Sequence, residues 1–473
     1  MSRALRAAEA AAGAVRVAFG PAGRGVLIRG PAGALTITRA AVDILEAAFP
    51  PSSRPGPELV VLLQGARALH RRTGDGVKGF LLTTAALLRG LESVLEAGPG
   101  LEAAASVRVR VELGRALPAA AAPRPDPGDL AASVLATRFT PDVAAAALPA
   151  VAALLRGSDS AALLRAHLPV LCRRRRAAGR AVADSAVREG VVVDGMLRFL
   201  GDGPERRVVA VLAGDAQDDA VDVRAAVSSL LADGAVDAGR LLVVTSAVLD
   251  DASLFALRRR GAALLHAVTP EDEHFLLEWA LAARSGEVAV EVRGLERSSA
   301  WLGLPGVRQL QLHAPTQQLA EQLAAATRDA VQLMCFAADN GLQPALCPGG
   351  GSLERRLHRA LGGTPLGRAE LLRWHQQRQA PEARGPQHDQ DPVVAALATA
   401  LDCLSPDTRK AVAEAVAAVP RELPPDHPRD PPLEPAALRV AVLQHALATA
   451  GTLLAARVGI TAASREGAAR RPS

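Results

Sequence analysis

A chain of 473 residues, 49% apolar and 22% charged, exceeds one ordinary core and implies roughly two to four structural units. Its formal charge of +5 comes almost wholly from arginine, since lysine occurs only at Lys78 and Lys410; with aromatics at 2% there is little to stack on bases, which argues against a nucleic-acid partner. No apolar run reaches the roughly 18 residues that a membrane span requires, and Cys172, Cys335, Cys347 and Cys403 show neither a disulfide framework nor zinc spacing, so a reducing compartment fits.

From the amino terminus, "ALRAAEAAAGAVRVAF" has helical spacing and stops at Gly20-Pro21; Glu9 favours a domain helix over a transit peptide. "GVLIRGPAGALTIT" reads as a hairpin turning at 31–33, and a helix follows from Ala40. After the break "FPPSSRPGP", one helix spans 58–70 and another runs from Val77 to about Glu96. The proline-rich 116–129 marks a boundary, beyond which 130–176 is again helical; "CRRRR" (172–176) and "LRRRG" (257–261) are expected to be solvated helix faces.

From about Val191 the pattern becomes α/β. "VVVDG", "RVVAVLAG", "RLLVVTSAV" and "ALLHAV" read as short strands, "DASLFALRR" and "EDEHFLLEWALAA" as helices, with "EVAVEVRGL" and "VRQLQLHAP" closing the unit. Helical periodicity returns over 316–341. Segments 375–392 and 420–435 are loop or linker by composition. A last helix is expected from Glu434, where Glu-Pro suits a helix start, to about Arg457. A helical unit is thus expected to be split by an inserted α/β unit.

Three glycine turns stand before or between helices: Gly20-Pro21-Ala22-Gly23, Gly74-Asp75-Gly76 and Gly349-Gly350-Gly351. Such turns can leave helix-start amides free for an anion such as phosphate, and an acid among them suits a magnesium ion or a water; the other reading is a plain helix-start turn. No P-loop signature occurs, which leaves a conventional phosphotransferase without support.

The order of these segments resembles the group II chaperonins, ring-forming ATPases that fold proteins. "GPAGRGVLI" is similar to their first phosphate loop, "LTITRAAVDIL" to their I-T-N-D-G segment and "TGDGVKG" to G-D-G-T-T. "ATRDAV" is similar to their acidic D-A helix and "CPGGGSLE" to P-G-G-G-A-x-E, so the likeness runs essentially end to end. It is closer still to the divergent Bardet-Biedl chaperonin-like group. The resemblance implies a multi-domain, mainly α fold with an α/β apical domain. Its parts would be equatorial (1–125 and 347–473), intermediate (126–185 and 301–346) and apical (186–300).

For the site, the resemblance implies ATP and Mg2+. Asp75 would be the magnesium-linked acid and Asp329 the acid that positions the attacking water. Gly20, Pro21, Gly23, Gly74, Gly76, Lys78, Gly349, Gly350, Gly351 and Glu434 would line the nucleotide. A third acid is replaced by Ala40, and Asp43 lies one turn further on; the threonines after G-D-G are Val77 and Lys78. Binding is therefore expected with weak or lost hydrolysis. Implied partners are the sister Bardet-Biedl chaperonin-like proteins, cytosolic chaperonin subunits and, as clients, subunits of the ciliary coat complex (the BBSome), in the cytoplasm and at the centrosome or basal body. Only 19 residues precede Gly20, so a ring of identical copies is not expected. The alternative is a scaffold that keeps the fold without nucleotide.

Overall fold

A computed structural model describes residues 2–20, 23–30, 33, 35–95, 126–157, 161–175, 181–199, 205–211, 228–229, 240–247, 249–282, 289–296, 299–339, 346–348, 413, 433–435, 438–439 and 441–453. Pro21, the 349–351 turn and segment 375–392 lie outside them. Two compact units emerge, one made of 1–148 together with 326–473, the other of 149–325.

The first unit is helical. Helix α1 (Arg3–Arg16) starts on Ser2, whose hydroxyl accepts the Leu5 N–H at 3.1 Å. Its inward stripe of Ala4, Leu5, Ala8, Ala11, Ala12 and Val15 is mostly alanine, which lets it lie close against α3 (Pro57–Thr73) and α4 (Val77–Leu95). Helix α3 opens on proline and closes on Gly74 in the left-handed conformation, with Arg71 and Arg72 in its last turn, so it begins and ends where the chain chemistry says it should. Between α1 and α3 come the antiparallel hairpin β1 (Val26–Arg29) and β2 (Leu35–Thr38), with Leu27, Leu35 and Ile37 exposed on one side, and helix α2 (Ala41–Ala48). Helix α5 (Pro127–Arg138) is capped by Asp126, which accepts the Gly128 N–H at 2.8 Å. Helices α6 (Pro141–Arg156) and α11 (Gln317–Asp339) each contain a unit boundary. Residues 441–453 are helical and reach α3 and α4, His445 Nε2 lying 2.9 Å from the Gly65 carbonyl and stacking tilted on Phe80.

The second unit carries helices α7 (Ala161–Ala166) and α8 (Leu168–Leu171) and two sheets. A three-stranded sheet orders β3 (Cys172–Arg175), β12 (Arg308–His313) and β4 (Ala186–Glu189) as β3-β12-β4. The seven-stranded sheet contains β5 (Val191–Asp194), β6 (Met196–Arg198), β7 (Glu205–Val211), β8 (Leu241–Thr245), β9 (Ala263–His266), β10 (Ala289–Glu296) and β11 (Ser299–Gly303). Their order is β5-β11-β10-β7-β8-β9-β6, with β7-β8-β9 parallel. Alternation along β8 and β9 sends Leu242, Val244, Ala263 and Leu265 to one face and Leu241, Val243 and Leu264 to the other. Helix α10 (Pro270–Ala282) covers the first face through Phe275 and Leu276, and α9 (Asp251–Arg259) the second through Leu254 and Leu257. Burial on both faces explains why these strands read as unbroken apolar runs.

Three sequence expectations change. Cys172–Arg175 is a strand, not a solvated helix face, because it pairs in parallel with β12; Arg173 turns inward onto the fully buried Asp272 and also reaches Asp194 at 3.1 Å. Arg308–His313 joins that smaller sheet instead of closing the larger one. Glu434 does not start a helix: Leu433–Pro435 is a strand, β14, antiparallel to β13 (Leu346–Pro348) and paired at Cys347. Strands β4, β6 and β11 carried too short a pattern to be read.

Gln309 ties the two sheets of this unit together. Fully buried, it donates to the carbonyls of Val170 (2.8 Å) and Val192 (3.1 Å) and accepts the Val192 N–H (3.0 Å). Gln309→Leu strands these three backbone groups and is expected to cost about 2–4 kcal/mol in denaturant unfolding of the full chain; a change below about 0.5 kcal/mol would show the bridge to be idle.

Candidate functional site

The G-D-G turn lies in the helical unit, between α3 and α4. Gly74 (φ +75°) and Gly76 (φ +88°) take backbone angles that side chains avoid. A Cβ at Gly74 would collide with the backbone carbonyl of Asp329, and one at Gly76 would come within 2.6 Å of the Val442 side chain. Both glycines therefore serve close packing. Thr73 Oγ1 donates to the carbonyls of Leu69 (2.8 Å) and Asp75 (2.7 Å). The Asp75 carboxylate accepts the Gly76 N–H at 2.7 Å on one oxygen and the Thr137 hydroxyl at 3.3 Å on the other.

Lys78, one turn further on, is buried, and its ammonium reaches three backbone carbonyls: Ala18 beyond α1 (2.9 Å), Arg39 before α2 (3.3 Å) and Thr137 in the last turn of α5 (3.1 Å). Burial pushes its pKa down to about 8; Asp75 opposes this while Arg138 and Arg39 reinforce it. The ammonium therefore stays protonated at pH 7.

Asp329, on α11, is paired with Arg138, whose guanidinium also donates to the Gly74 carbonyl at 3.4 Å; His70 Nε2 lies 3.5 Å from its other oxygen. Burial pushes the Asp329 carboxyl above its ordinary value, outweighing Arg138 and His70, and Asp75 acts in the same upward direction. Arg39 donates to the Phe139 carbonyl at 2.7 Å. At the start of α2, Ala40 has no cap of its own, and Thr38 Oγ1 accepts its N–H while donating to Asp43. Asp43 is thus tied to the Thr38 hydroxyl at the helix start.

The structure brings Asp75, Lys78 and Asp329 into one electrostatic cluster and, through the Lys78 link to Ala18, ties it to the first glycine segment. Several of its donors are directed inward. The Gly23 N–H goes to the Gly20 carbonyl (3.1 Å), the Gly74 N–H to His70 (2.7 Å) and the Gly76 N–H to Asp75, and the Lys78 ammonium goes to three carbonyls. An ATP-magnesium complex needs these donors turned toward phosphate and a carboxylate open to metal. Lys78 and Asp329, both committed to protein partners, do not fit it. Pro21 and Gly349–Gly351 lie outside them, and of Glu434 only the strand backbone is described. Among the described residues no group of three or more His, Cys, Asp or Glu is arranged to hold a metal, and no helix is long and apolar enough to cross a membrane. Arg138, Thr137, His70 and Arg39 were missed in the sequence: a basic residue in a last helical turn reads as an ordinary partner of the helix dipole.

Lys78→Met should lower stability by about 2–4 kcal/mol at pH 7 by stranding three carbonyls. Between its folded pKa of about 8 and its ordinary 10.5, the folded wild type binds fewer protons than the unfolded chain, so its stability relative to the methionine variant should rise across that window and not below it. Urea midpoints of both proteins at stepped pH measure this, and a flat difference contradicts the assignment.

No family model matches the chain, and no curated protein matches it in sequence. Among solved structures it is similar to a group III chaperonin crystallised in the open state, with a TM-score of 0.59 and 18% identity, covering 95% of this chain and 97% of that one. The chain has a chaperonin-like fold.

Proposed function

We propose that this chain is a chaperonin-like assembly factor of the Bardet-Biedl group, resembling the Bardet-Biedl syndrome 10 protein. In this reading it acts in the cytoplasm and at the centrosome or basal body, with the sister Bardet-Biedl chaperonin-like proteins and cytosolic chaperonin subunits, on subunits of the BBSome. The observation that carries the reading is the chaperonin-like fold over nearly the whole chain, joined to a matching order of motifs. The inserted α/β unit offers an apolar contact in Phe255 of α9, 66% exposed beside Arg258 and Arg259.

ATP with Mg2+ enters this reading through the resemblance, with Asp75, Lys78, Asp329 and the glycine turns as its residues. The commitment of Lys78 and Asp329 to protein partners favours the second reading, a scaffold that keeps the fold without nucleotide.

Purification of the tagged full chain from ciliated cells is expected to bring down BBSome and chaperonin subunits; their absence under gentle conditions overturns the assembly role. On the same protein, a melting temperature that stays within about 1 °C on adding ATP and magnesium supports the scaffold, and a rise of several degrees supports nucleotide binding.

A further inference from the structure

Asp75 and Asp329 invite a divalent cation, yet the chain supplies positive charge of its own. The Arg138 guanidinium bonds to an Asp329 carboxylate oxygen and to the Gly74 carbonyl, the kinds of oxygen that magnesium takes as ligands. Arg138 and Asp329 side chains are 13% and 10% exposed, so their interaction is little screened. Across the cluster, α3 contributes His70, α4 Lys78, α5 Arg138, and α11 Asp329 with Arg328; Asp75 comes from the turn and Arg39 from the segment before α2. Two carboxylates, Asp75 and Asp329, already meet three buried or half-buried cations in Lys78, Arg138 and Arg39. A metal ion added to this set would meet excess positive charge and find its oxygens taken.

We propose that Arg138 takes the place of a divalent cation at this centre, bridging the G-D-G turn and α11 without metal. The inference deepens the scaffold reading. A guanidinium suits the role because the two N–H groups of its Nη2 can serve a carboxylate and a carbonyl together, as they do here, and because it keeps its charge at any physiological pH. A lysine would offer a point charge and a shorter reach. The bridge also offsets the burial of Asp329 beside a second acid.

The test is Mn2+ binding to the full chain, followed by paramagnetic resonance, with melting temperature in Mg2+ as a second readout. Wild type is expected to leave Mn2+ free into the millimolar range and to melt at the same temperature with or without Mg2+. Arg138→Met and Arg138→Gln open the oxygen set and are expected to bind Mn2+ about tenfold or more tightly, with Mg2+ restoring part of the lost melting temperature. Adding Asp329→Asn to Arg138→Met should abolish the acquired site while leaving a folded protein, since both charges of the pair are then gone. Wild type binding Mn2+ as tightly as the variants overturns the proposal. So do variants that fold and acquire no site, or that fail to fold and are not rescued by Mg2+. Neither failure touches the assembly role, which is read by co-purification alone.

Discussion

A single ammonium group holds the helical unit's loops in register. Lys78 lies at the start of a buried helix, where an unpaired charge would be prohibitive, and it is tolerated because three carbonyls from the ends of α1 and α5 and the start of α2 converge on it. Those carbonyls belong to segments where the regular ladder has stopped or has yet to start, so they need donors from elsewhere. The lysine and the loose ends solve each other's problem. Asp75 offsets part of the charge that the lysine brings in, and Arg138, which adds to that charge, is itself paired with Asp329.

Much of the fold was legible in the sequence because the signals were local. Pro57 and Gly74 bracket α3, Gly33 closes its N–H onto the Gly30 carbonyl between the hairpin strands, and the apolar runs at Leu241–Thr245 and Ala263–His266 announce strands covered on both faces. What was missed depended on distant partners. Cys172–Arg175 looks helical until β12 is known to lie beside it, and Leu433–Pro435 becomes a strand only through Leu346–Pro348. The site divides in the same way: the motif acids were visible, whereas the direction of each donor was not. Nothing in G-D-G says whether its amides face a ligand or the protein. Nor does it show that Thr137 and Arg138, more than sixty residues away, hold the Asp75 carboxylate and the Gly74 carbonyl, or that the backbone of Asp329 presses against Gly74.

The two units handle buried polarity differently. In the α/β unit, buried polar groups sit in separate small sets: Arg173 meets Asp272, and Glu273 accepts the Ser246 N–H at 2.7 Å and its hydroxyl at 2.8 Å, while Gln309 satisfies backbone groups of β5 and α8. In the helical unit, Asp75, Lys78, Arg138 and Asp329 gather at one centre. A centre of that kind makes the placement of several elements depend on the same few bonds.

One feature also affects how the folded chain can be handled chemically. With lysine at only two positions and one of them sealed against solvent, Lys78 offers no nucleophile to acylating reagents or to an isopeptide-forming enzyme while the core stays shut. Amine-directed cross-linking and labelling of side chains across the described residues should therefore be nearly silent, and any signal at Lys78 would report opening of the interior.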